Sequence, residues 1–263
     1  MQIIPIPAFQ DNYLWTLIEG SQAVVVDPGD AAPVLRELQA RKLQLTAILI
    51  THWHPDHIGG IAELCGAFPG IPVLGPAAEA KKIPGLTRTL DEGDRVQLLG
   101  MEFQVIAVPG HTLGHIAYYA PGILLCGDTL FSAGCGRLFE GTPSQMHQSL
   151  SRITALPPDT LIYCTHEYTL ANLAFARAVE PENGAIANQL MRVRALRGNQ
   201  EPSLPTTLAL EKEINPFLRA HVPAVAQAAR QWSGGSLPDG VAVFTALRSW
   251  KDQFKAPASM GTV

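Results

Sequence analysis

The sequence predicts an α/β protein in two parts: a layered α/β region over residues 1–165 and a smaller, mostly helical region over residues 166–263. Segments with strand character alternate with segments of helical spacing in the first part. Strand signals stop after about residue 168, and the segments that follow have helical spacing interrupted by prolines. Several predicted strands are followed at once by histidine or aspartate, which is typical of α/β proteins that carry binding groups on loops at strand ends.

The predicted strands are short apolar or alternating runs bounded by turn residues. They cover residues 2–6, 12–19, 22–26, 45–50, 95–99, 102–108, 115–120, 122–126 and 160–164. Helical spacing predicts helices at residues 32–41, 58–68, 143–156, 169–179, 185–196, 207–214, 223–232 and 240–254. The helix at 143–156 begins with proline at a favourable first-turn position and ends before two further prolines.

Length and composition fit a globular protein with a substantial core. The 263 residues are 47% hydrophobic and 16% charged, which argues against disorder. The net charge of −4 gives no overall attraction to nucleic acid. No apolar run approaches the ~20 residues that a membrane helix needs, and the first residues lack a signal-peptide pattern. We therefore expect a cytoplasmic protein, with a monomer as the simplest oligomeric state.

The cysteines predict neither a Cys-type zinc site nor a disulfide framework. They are Cys65, Cys126, Cys135 and Cys164, and no two of them form a C-x-x-C pair. A chain of this length without a secretion signal is not of the small disulfide-rich class. We expect four unpaired thiols.

Residues 51–60, which read T-H-W-H-P-D-H-I-G-G, carry the strongest chemical signal. Four potential metal ligands follow the strand predicted at 45–50: His52, His54, Asp56 and His57. Imidazole nitrogens and carboxylate oxygens suit Zn(II), Fe(II) and Mn(II). One tetrahedral ion cannot easily take all four from so short a loop, so the spacing suggests two ions side by side, with a pair of ligands for each.

Three further strand ends present His111, Asp128 and His166. Alone, each histidine would be an ordinary loop residue, and the aspartate a turn or capping residue. Their repeated placement directly after strands indicates that they converge with residues 52–57 at one edge of the fold.

These residues resemble the metallo-β-lactamase superfamily and, within it, the glyoxalase II family of hydroxyacylglutathione hydrolases. The T-H-x-H-x-D-H pattern is specific for the superfamily, but it does not choose among its hydrolases, nucleases, lactonases and dioxygenases. The narrower match rests on further segments and runs nearly end to end, including the helical tail. Those segments are residues 109–112, 126–131, 134–137, 139–142, 166–169, 215–219 and 248–254.

The resemblance implies an αββα sandwich with a smaller α-helical C-terminal domain. It also implies two divalent metal ions per chain, with zinc expected and iron or manganese compatible. One ion would be held by His52, His54 and His111, and the other by Asp56, His57 and His166. Asp128 would bridge the two ions.

The resemblance further implies hydrolysis of S-D-lactoylglutathione and related 2-hydroxyacylglutathiones to D-lactate and glutathione, the second step of methylglyoxal detoxification. A hydroxide bridging the two ions would attack the thioester, and Asp56 would orient it. Arg248 and Lys251, at i and i+3 on one helix face, match the family pair that binds the glycine carboxylate. Arg137 replaces a family lysine at a substrate contact, and Tyr168 matches a tyrosine that hydrogen-bonds the tripeptide.

One residue departs from the family pattern, and two others allow two interpretations. Phe139 stands where better-known members have a tyrosine whose hydroxyl contacts the substrate, and losing one hydrogen bond should weaken binding by ~0.5–1.5 kcal/mol. His115 either orients a metal ligand or is a packed structural residue. Asp27 either orients a ligand or only forms a turn.

Two alternatives remain open at this point. A mononuclear iron persulfide dioxygenase shares the histidine-rich loop but lacks the full helical tail and uses fewer ligands. A non-enzymatic metal-binding or partner-binding module would turn over no thioester whatever metal it holds. In the favoured interpretation the partner is a small glutathione thioester, with no nucleic acid and no membrane.

Overall fold

The first of two six-stranded sheets is built from the N-terminal strands in chain order. The computed structural model describes residues 1–255. The strands of the first sheet are β1 (Gln2–Ala8), β2 (Asn12–Glu19), β3 (Gln22–Val26), β4 (Gln44–Leu49), β5 (Val73–Pro76) and β6 (Arg88–Leu90). β1, β2 and β3 are antiparallel neighbours, whereas β3 to β6 run parallel.

The second sheet has the order β14-β13-β10-β9-β8-β7, and β11 and β12 form a separate small hairpin. These strands are β7 (Arg95–Leu98), β8 (Met101–Ala107), β9 (Ile116–Ala120), β10 (Ile123–Gly127), β11 (Leu130–Phe131), β12 (Gly134–Cys135), β13 (Leu161–Cys164) and β14 (Thr206–Thr207). β13 pairs in parallel with β10, so both strands end at the same edge of the sheet.

The α-helices cover the outer faces of the sheets and form most of the C-terminal region. They are α1 (Ala31–Arg41), α2 (Pro55–Ile58), α3 (Ile61–Ala67), α4 (Pro143–Thr154), α5 (Thr169–Val179), α6 (Gly184–Gly198), α7 (Leu208–Ile214), α8 (Pro223–Ser233) and α9 (Gly240–Gln253). Single 3₁₀ turns lie at Ala77–Glu79 and Pro216–Leu218.

Strand β2 shows why the layers stack as they do, because both of its faces are apolar. Trp15 and Leu17 lie in the core between the two sheets. Leu14 and Ile18 lie on the opposite face, in the core shared with α1 and α3. Since successive side chains of a strand point to opposite faces, a continuous apolar run places the sheet between two layers. The predicted αββα sandwich with a helical C-terminal region is confirmed.

The single helix predicted at residues 58–68 is wrong, because the chain breaks into α2 and α3 at two glycines. The Gly60 N–H donates to the Pro28 carbonyl at 2.8 Å. A Cβ atom on Gly60 would lie 2.6 Å from that carbonyl oxygen, and one on Gly59 would lie 2.5 Å from the Gly29 oxygen. The close approach of the loop at residues 28–30 therefore requires both glycines.

The placement of all four early ligand residues on a loop also needs correction. His52 and His54 do lie on the loop after β4, but Asp56 and His57 lie on the single turn of α2. The proline that precedes them has the fixed φ that favours the first position of a helix. The local sequence thus places the second pair of ligands on a helical turn and the first pair on the loop before it.

The expectation that strands end by residue 168 is wrong at β14. Thr206 and Thr207 pair antiparallel with Ile162 and Leu161 and extend the second sheet by one short strand. Two residues are too few to show an alternating pattern, so this strand has no periodicity that could predict it.

The helical region packs onto the same apolar core as the sheets. Phe175, Phe217 and Phe244 belong to the cluster that also contains residues of β10 and β13. A smaller cluster lies among α5, α6 and α7. The domain boundary at residues 165/166 stays a prediction, and residues 256–263 of the predicted second domain lie outside the described part of the chain.

The expected thiol state agrees with the structure, because all four cysteines are unpaired. Within residues 1–255, no helix has the length and apolar character that crossing a membrane requires.

We expect Asn215→Ala to lower the free energy of unfolding by about 1–3 kcal/mol. The Asn215 side chain is fully buried and donates to the Phe131 and Gly134 carbonyls at 3.1 and 2.9 Å, which ties α7 to the β11–β12 hairpin. Removing it takes this donor away from two carbonyls at a buried position. Urea denaturation measures the change, and Gln39→Ala on an exposed face of α1 should change stability by less than about 0.5 kcal/mol. Equal stability of the two variants would contradict this account.

Candidate metal centre

Four segments that each follow a strand meet at one edge of the sandwich. They carry all seven residues that the sequence singled out as ligands: His52, His54, Asp56, His57, His111, Asp128 and His166. Their ligand atoms fall into three overlapping groups, and within each group the atoms lie within 4.8 Å of one another. The groups are His52, His54 and His111; His52, His57 and Asp128; and Asp56, His57 and His166.

The first group consists of three imidazoles. The Nδ1 atom of His54 lies 3.1 Å from His52 Nε2 and 2.9 Å from His111 Nε2. His52 and His111 are buried, whereas His54 is half-buried and borders a cavity. Three nitrogens from two distant loops therefore point at one small volume.

The second side of the centre combines imidazole and carboxylate groups. His166 Nε2 lies 3.5 Å from Asp56 Oδ2 and 3.3 Å from Asp128 Oδ2, and His57 Nε2 lies 3.5 Å from Asp128 Oδ1. Asp128 also approaches the first group, with Oδ2 at 3.4 Å from His111 Nε2. Its carboxylate thus lies between the two sides.

The outward-facing nitrogens of His52 and His111 are already bonded, and this fixes which of their nitrogens faces the centre. His111 Nδ1 donates to the Arg137 carbonyl at 2.7 Å, a group that can only accept. The Thr51 hydroxyl donates to Asp27 at 2.7 Å, so it accepts from His52 Nδ1 at 3.1 Å. The Nε2 atoms of both histidines therefore present lone pairs to His54.

The residues present fit a metal centre on this evidence. Converging nitrogen lone pairs at 2.9–3.1 Å repel one another unless a proton or a cation lies between them, and one proton can serve only one pair. Within the described residues, His57 Nε2 and Asp128 Oδ1 are buried and have no hydrogen-bond partner. Buried polar atoms without partners are rare in proteins, and cations bound on the two sides of the centre would satisfy these atoms.

The charge state of the centre agrees with this fit. Burial lowers the pKa of His52, His54 and His111, so their imidazoles are neutral and have free lone pairs. Burial would also lower the pKa of His166, but Asp128 and Asp11 outweigh it and raise that pKa to about 9. Without a cation, the carboxylate side of the centre therefore holds protons, which metal ions displace when they bind.

Three side chains that support the ligands were not singled out by the sequence. Asp11 Oδ1 accepts from His166 Nδ1 at 2.7 Å, and Asn12 Nδ2 donates to Asp56 Oδ2 at 3.1 Å. Glu79 accepts from the backbone N–H of Trp53, between two ligands, at 2.8 Å. In the sequence these residues look like ordinary turn residues. The one hint is that Asp11 and Asn12 are adjacent polar residues directly after β1.

The two residues with open interpretations both contact the centre. Asp27 accepts from the Thr51 N–H at 2.7 Å, and its Oδ2 lies 3.0 Å from His57 Nδ1. His115 is buried, stacks on the His52 ring, and its Nε2 accepts from the Asp128 N–H at 3.1 Å. Each therefore holds ligand-bearing segments in place.

A cavity of about 590 Å³ opens from the centre towards the helical region. The other predicted site residues, Arg137, Tyr168, Arg248 and Lys251, line it together with Phe139. A larger cavity of about 810 Å³ lies beside α8 and contains none of the predicted site residues.

Three cationic side chains lie along one side of the 590 Å³ cavity. Arg248 is buried and donates through Nη1 to the Cys135 carbonyl at 3.0 Å and through Nη2 to Asp252 at 2.9 Å. Its Nε atom has no partner among the described residues. Lys251 Nζ donates to the Ala171 carbonyl at 3.1 Å, and Arg137 Nε lies 3.5 Å from Asp252. This side of the cavity can hold an anionic group.

Two aromatic side chains contact the histidines of the centre and line the same cavity as these cations. The Tyr168 ring stacks on His166 with a 2° interplanar angle and a 4.7 Å centroid separation. Phe139 is 61% exposed, and its ring lies edge-on to His54 and His111 at 5.4 and 5.2 Å. Phe139 thus offers the cavity an apolar surface beside the first group of histidines.

Comparison with known proteins places this fold and site in a class. The profile of the metallo-beta-lactamase superfamily matches residues 9–166, and the chain belongs to that superfamily. Among solved structures, ETHE1 from Myxococcus xanthus is similar with a TM-score of 0.65 and 25% identity, covering 98% of this chain and 92% of that one. TTHA1623, solved in a di-iron-bound form, has a TM-score of 0.61 and 28% identity over 82% of this chain and all of its own.

The helical region narrows the class to one family. The profile described as hydroxyacylglutathione hydrolase C-terminus matches residues 167–254. A hydroxyacylglutathione hydrolase of Vibrio campbellii is 55% identical, and one of Pseudomonas fluorescens is 53% identical, each over 97% of this chain and 100% of the relative. The chain belongs to the hydroxyacylglutathione hydrolase family and is a metal-binding enzyme of this kind.

Proposed function

We propose that this protein hydrolyses the thioester of S-D-lactoylglutathione, and of related 2-hydroxyacylglutathiones, to the hydroxy acid and glutathione. The observation that carries the proposal is the position of a two-sided cluster of imidazoles and carboxylates at one end of a cavity whose side is cationic. A hydrolytic centre beside a carboxylate-binding surface fits a substrate that joins an acyl thioester to a tripeptide with two carboxylates. The end-to-end similarity to named hydrolases of these thioesters supports the same activity.

Two divalent ions per chain, expected to be zinc, would be held by His52, His54 and His111 on one side and by Asp56, His57 and His166 on the other, with Asp128 between them. When bound, such ions lower the pKa of water and stabilise the oxyanion that develops on an attacked carbonyl. The protein's part is to hold the ligands: Nδ1 of His111 and His166 is bonded outwards, so Nε2 faces inwards.

Asp56 has a second task because its carboxylate borders the cavity. Asn12 donates to its Oδ2 at 3.1 Å and fixes its orientation. We propose that Asp56 orients the attacking water and accepts its hydrogen bond. The thiolate leaving group has a conjugate acid with a pKa of ~8.5, so it needs no strong general acid.

The cationic side of the cavity would bind glutathione. Arg248 and Lys251 would bind the glycine carboxylate, Arg137 would contact the peptide, and the Tyr168 hydroxyl would hydrogen-bond it. The free Nε of Arg248 supports this role, since a buried donor without a partner is satisfied by a bound carboxylate. Phe139 would contribute an apolar contact where related enzymes use a hydroxyl.

We also propose that the chain acts as a monomer in the cytoplasm, where its four unpaired cysteines stay reduced.

His54→Ala and Asp128→Ala should each abolish thioester hydrolysis and reduce bound metal. Each removes a group that the proposal places directly on an ion. The measurements are turnover of S-D-lactoylglutathione and the metal content of the same sample. His221→Ala, which alters an exposed histidine, should retain both. Near-normal hydrolysis by either ligand variant would contradict the two-metal assignment, and one iron per chain with oxygen consumption on glutathione persulfide would favour a dioxygenase.

The double change of Arg248 and Lys251 to Ala should raise KM for the glutathione thioester much more than it lowers kcat. These groups would bind the tripeptide equally in the ground state and the transition state. Losing such uniform binding raises KM and leaves kcat largely unchanged. Steady-state kinetics measure both constants, and Arg230→Ala on an exposed part of α8 is the control. An unchanged KM would remove the pair from the binding site.

The KM of the enzyme should rise as the pH increases through about 8. Burial and the nearby Arg248 guanidinium lower the pKa of Lys251 to about 8, so its ammonium loses a proton in that range. The protonated form binds a carboxylate, so binding is fully present below the pKa and weakens above it. Lys251→Arg stays charged and should abolish the rise. A pH profile of KM that is the same in both proteins would contradict this role.

A further inference from the structure

One buried carboxylate outside the ligand set connects the two loops that carry the first group of histidines. Glu79 lies on the 3₁₀ turn after β5 and is only 3% exposed. Its Oε2 accepts from the Trp53 N–H at 2.8 Å, and its Oε1 accepts from the Thr112 hydroxyl at 2.5 Å and the Gly114 N–H at 3.0 Å. Burying a carboxylate costs free energy unless hydrogen-bond donors satisfy it. The position of Glu79 therefore depends on these three donors.

The donors to Glu79 immediately flank the predicted ligands. Trp53 lies between His52 and His54, and Thr112 follows His111. One carboxylate therefore fixes the backbone on both sides of the 2.9 Å contact between His54 and His111. These loops are far apart in the chain, and their relative position depends on tertiary contacts of this kind.

The fit around Glu79 is tight on the side of the His111 loop. A Cβ atom on Gly114 would lie 2.5 Å from Glu79 Cγ, so the loop approaches the carboxylate as closely as its backbone allows. Glu140 adds a second connection, since it accepts from the Leu113 N–H at 2.9 Å and from Trp53 Nε1 at 3.0 Å. Unlike Glu79, Glu140 is partly exposed and also pairs with Lys82.

The other side of the centre is supported by different residues. His166 is held by Asp11, Asp56 by Asn12, and His57 lies against Asp27. None of the hydrogen bonds found for Glu79 within residues 1–255 goes to these groups. Asp27 contacts both sides, because it also accepts from the Thr51 N–H beside His52. The hydrogen bonds of Glu79, in contrast, reach only the segments that carry His52, His54 and His111.

We propose that Glu79 is a positioning residue that sets the spacing of His52 and His54 relative to His111, and so determines the affinity of one of the two metal positions but not of the other. The inference rests on the proposed two-metal function. Glu79 would affect metal affinity only at the position formed by His52, His54 and His111.

A glutamine at this position keeps the size but not the function. Both carboxylate oxygens of Glu79 accept from backbone N–H groups, and a glutamine amide has one oxygen and one NH₂ group. One of the two loops would then face a donor opposite its own donor. Glu79→Gln thus separates the loops without leaving a void, whereas an alanine would add a cavity and could prevent folding.

The test uses the full-length protein in two backgrounds that each weaken one metal position. In the His166→Ala protein, the position that still binds zinc tightly is the one with His52, His54 and His111. In the His54→Ala protein, it is the one with Asp56, His57 and His166. The metal-free proteins are titrated with Zn(II) against a chromophoric chelator. Adding Glu79→Gln should weaken zinc binding by about 10–100-fold in the His166→Ala background and by less than about twofold in the His54→Ala background.

Matched variants show whether the difference is specific. Asp11→Ala, which removes the support of His166, should weaken zinc binding in the His54→Ala background only. Glu102→Gln, at an exposed carboxylate paired with Arg95, should change neither titration. General destabilisation of the fold would weaken zinc binding equally in both backgrounds. A loss of zinc affinity in one background only is therefore not explained by a merely structural role.

Two outcomes would overturn the inference, and one would instead remove its basis. An equal effect of Glu79→Gln in both backgrounds, or no effect in either, contradicts a positioning role for Glu79. If the His54→Ala and His166→Ala proteins each still bind two zinc ions tightly, the proposed two-metal function is contradicted, and the inference about Glu79 loses its basis.

Discussion

Nitrogen lone pairs that face one another across about 3 Å are the constraint on which the rest of this molecule depends. His54 Nδ1 lies between the Nε2 atoms of His52 and His111, and on the other side His57 and His166 converge on Asp128. The facing nitrogens of His52, His54 and His111 are unfavourable in a buried site unless a cation lies between them. Without a metal ion, the side with Asp128 instead holds protons on its imidazoles. The surrounding structure must therefore hold groups together that would separate if left to themselves.

Buried carboxylates hold the ligands in place by binding the backbone next to them. The carboxylates of Asp27 and Glu79 accept from the N–H groups of Thr51 and Trp53, on either side of His52. Neither acid contacts the cavity. Because β10 and β13 are parallel and end at the same sheet edge, Asp128 and His166 lie beside each other.

The helical region completes the site by a separate route. Glu211 is fully buried and accepts from Ser132 Oγ and the Ala133 N–H, both in the β11–β12 hairpin, at 2.8 and 2.7 Å. Arg248 on α9 donates to the Cys135 carbonyl of the same hairpin. The cationic side of the cavity and the cluster of histidines and aspartates are therefore fixed relative to each other through a short hairpin.

The sequence by itself determined the fold class, most element positions and the identity of the residues that meet at the centre. Apolar periodicity and turn residues are local properties, and T-H-x-H-x-D-H is a contiguous pattern, so both can be read without coordinates. The tertiary structure alone decided the break at Gly59 and Gly60, the pairing of β14, and the supporting roles of Asp11 and Glu79. Each of these depends on a segment distant in the chain approaching within hydrogen-bond distance. A linear sequence does not reveal such an approach, because an isolated acid in a turn looks the same whether it faces water or a buried N–H group.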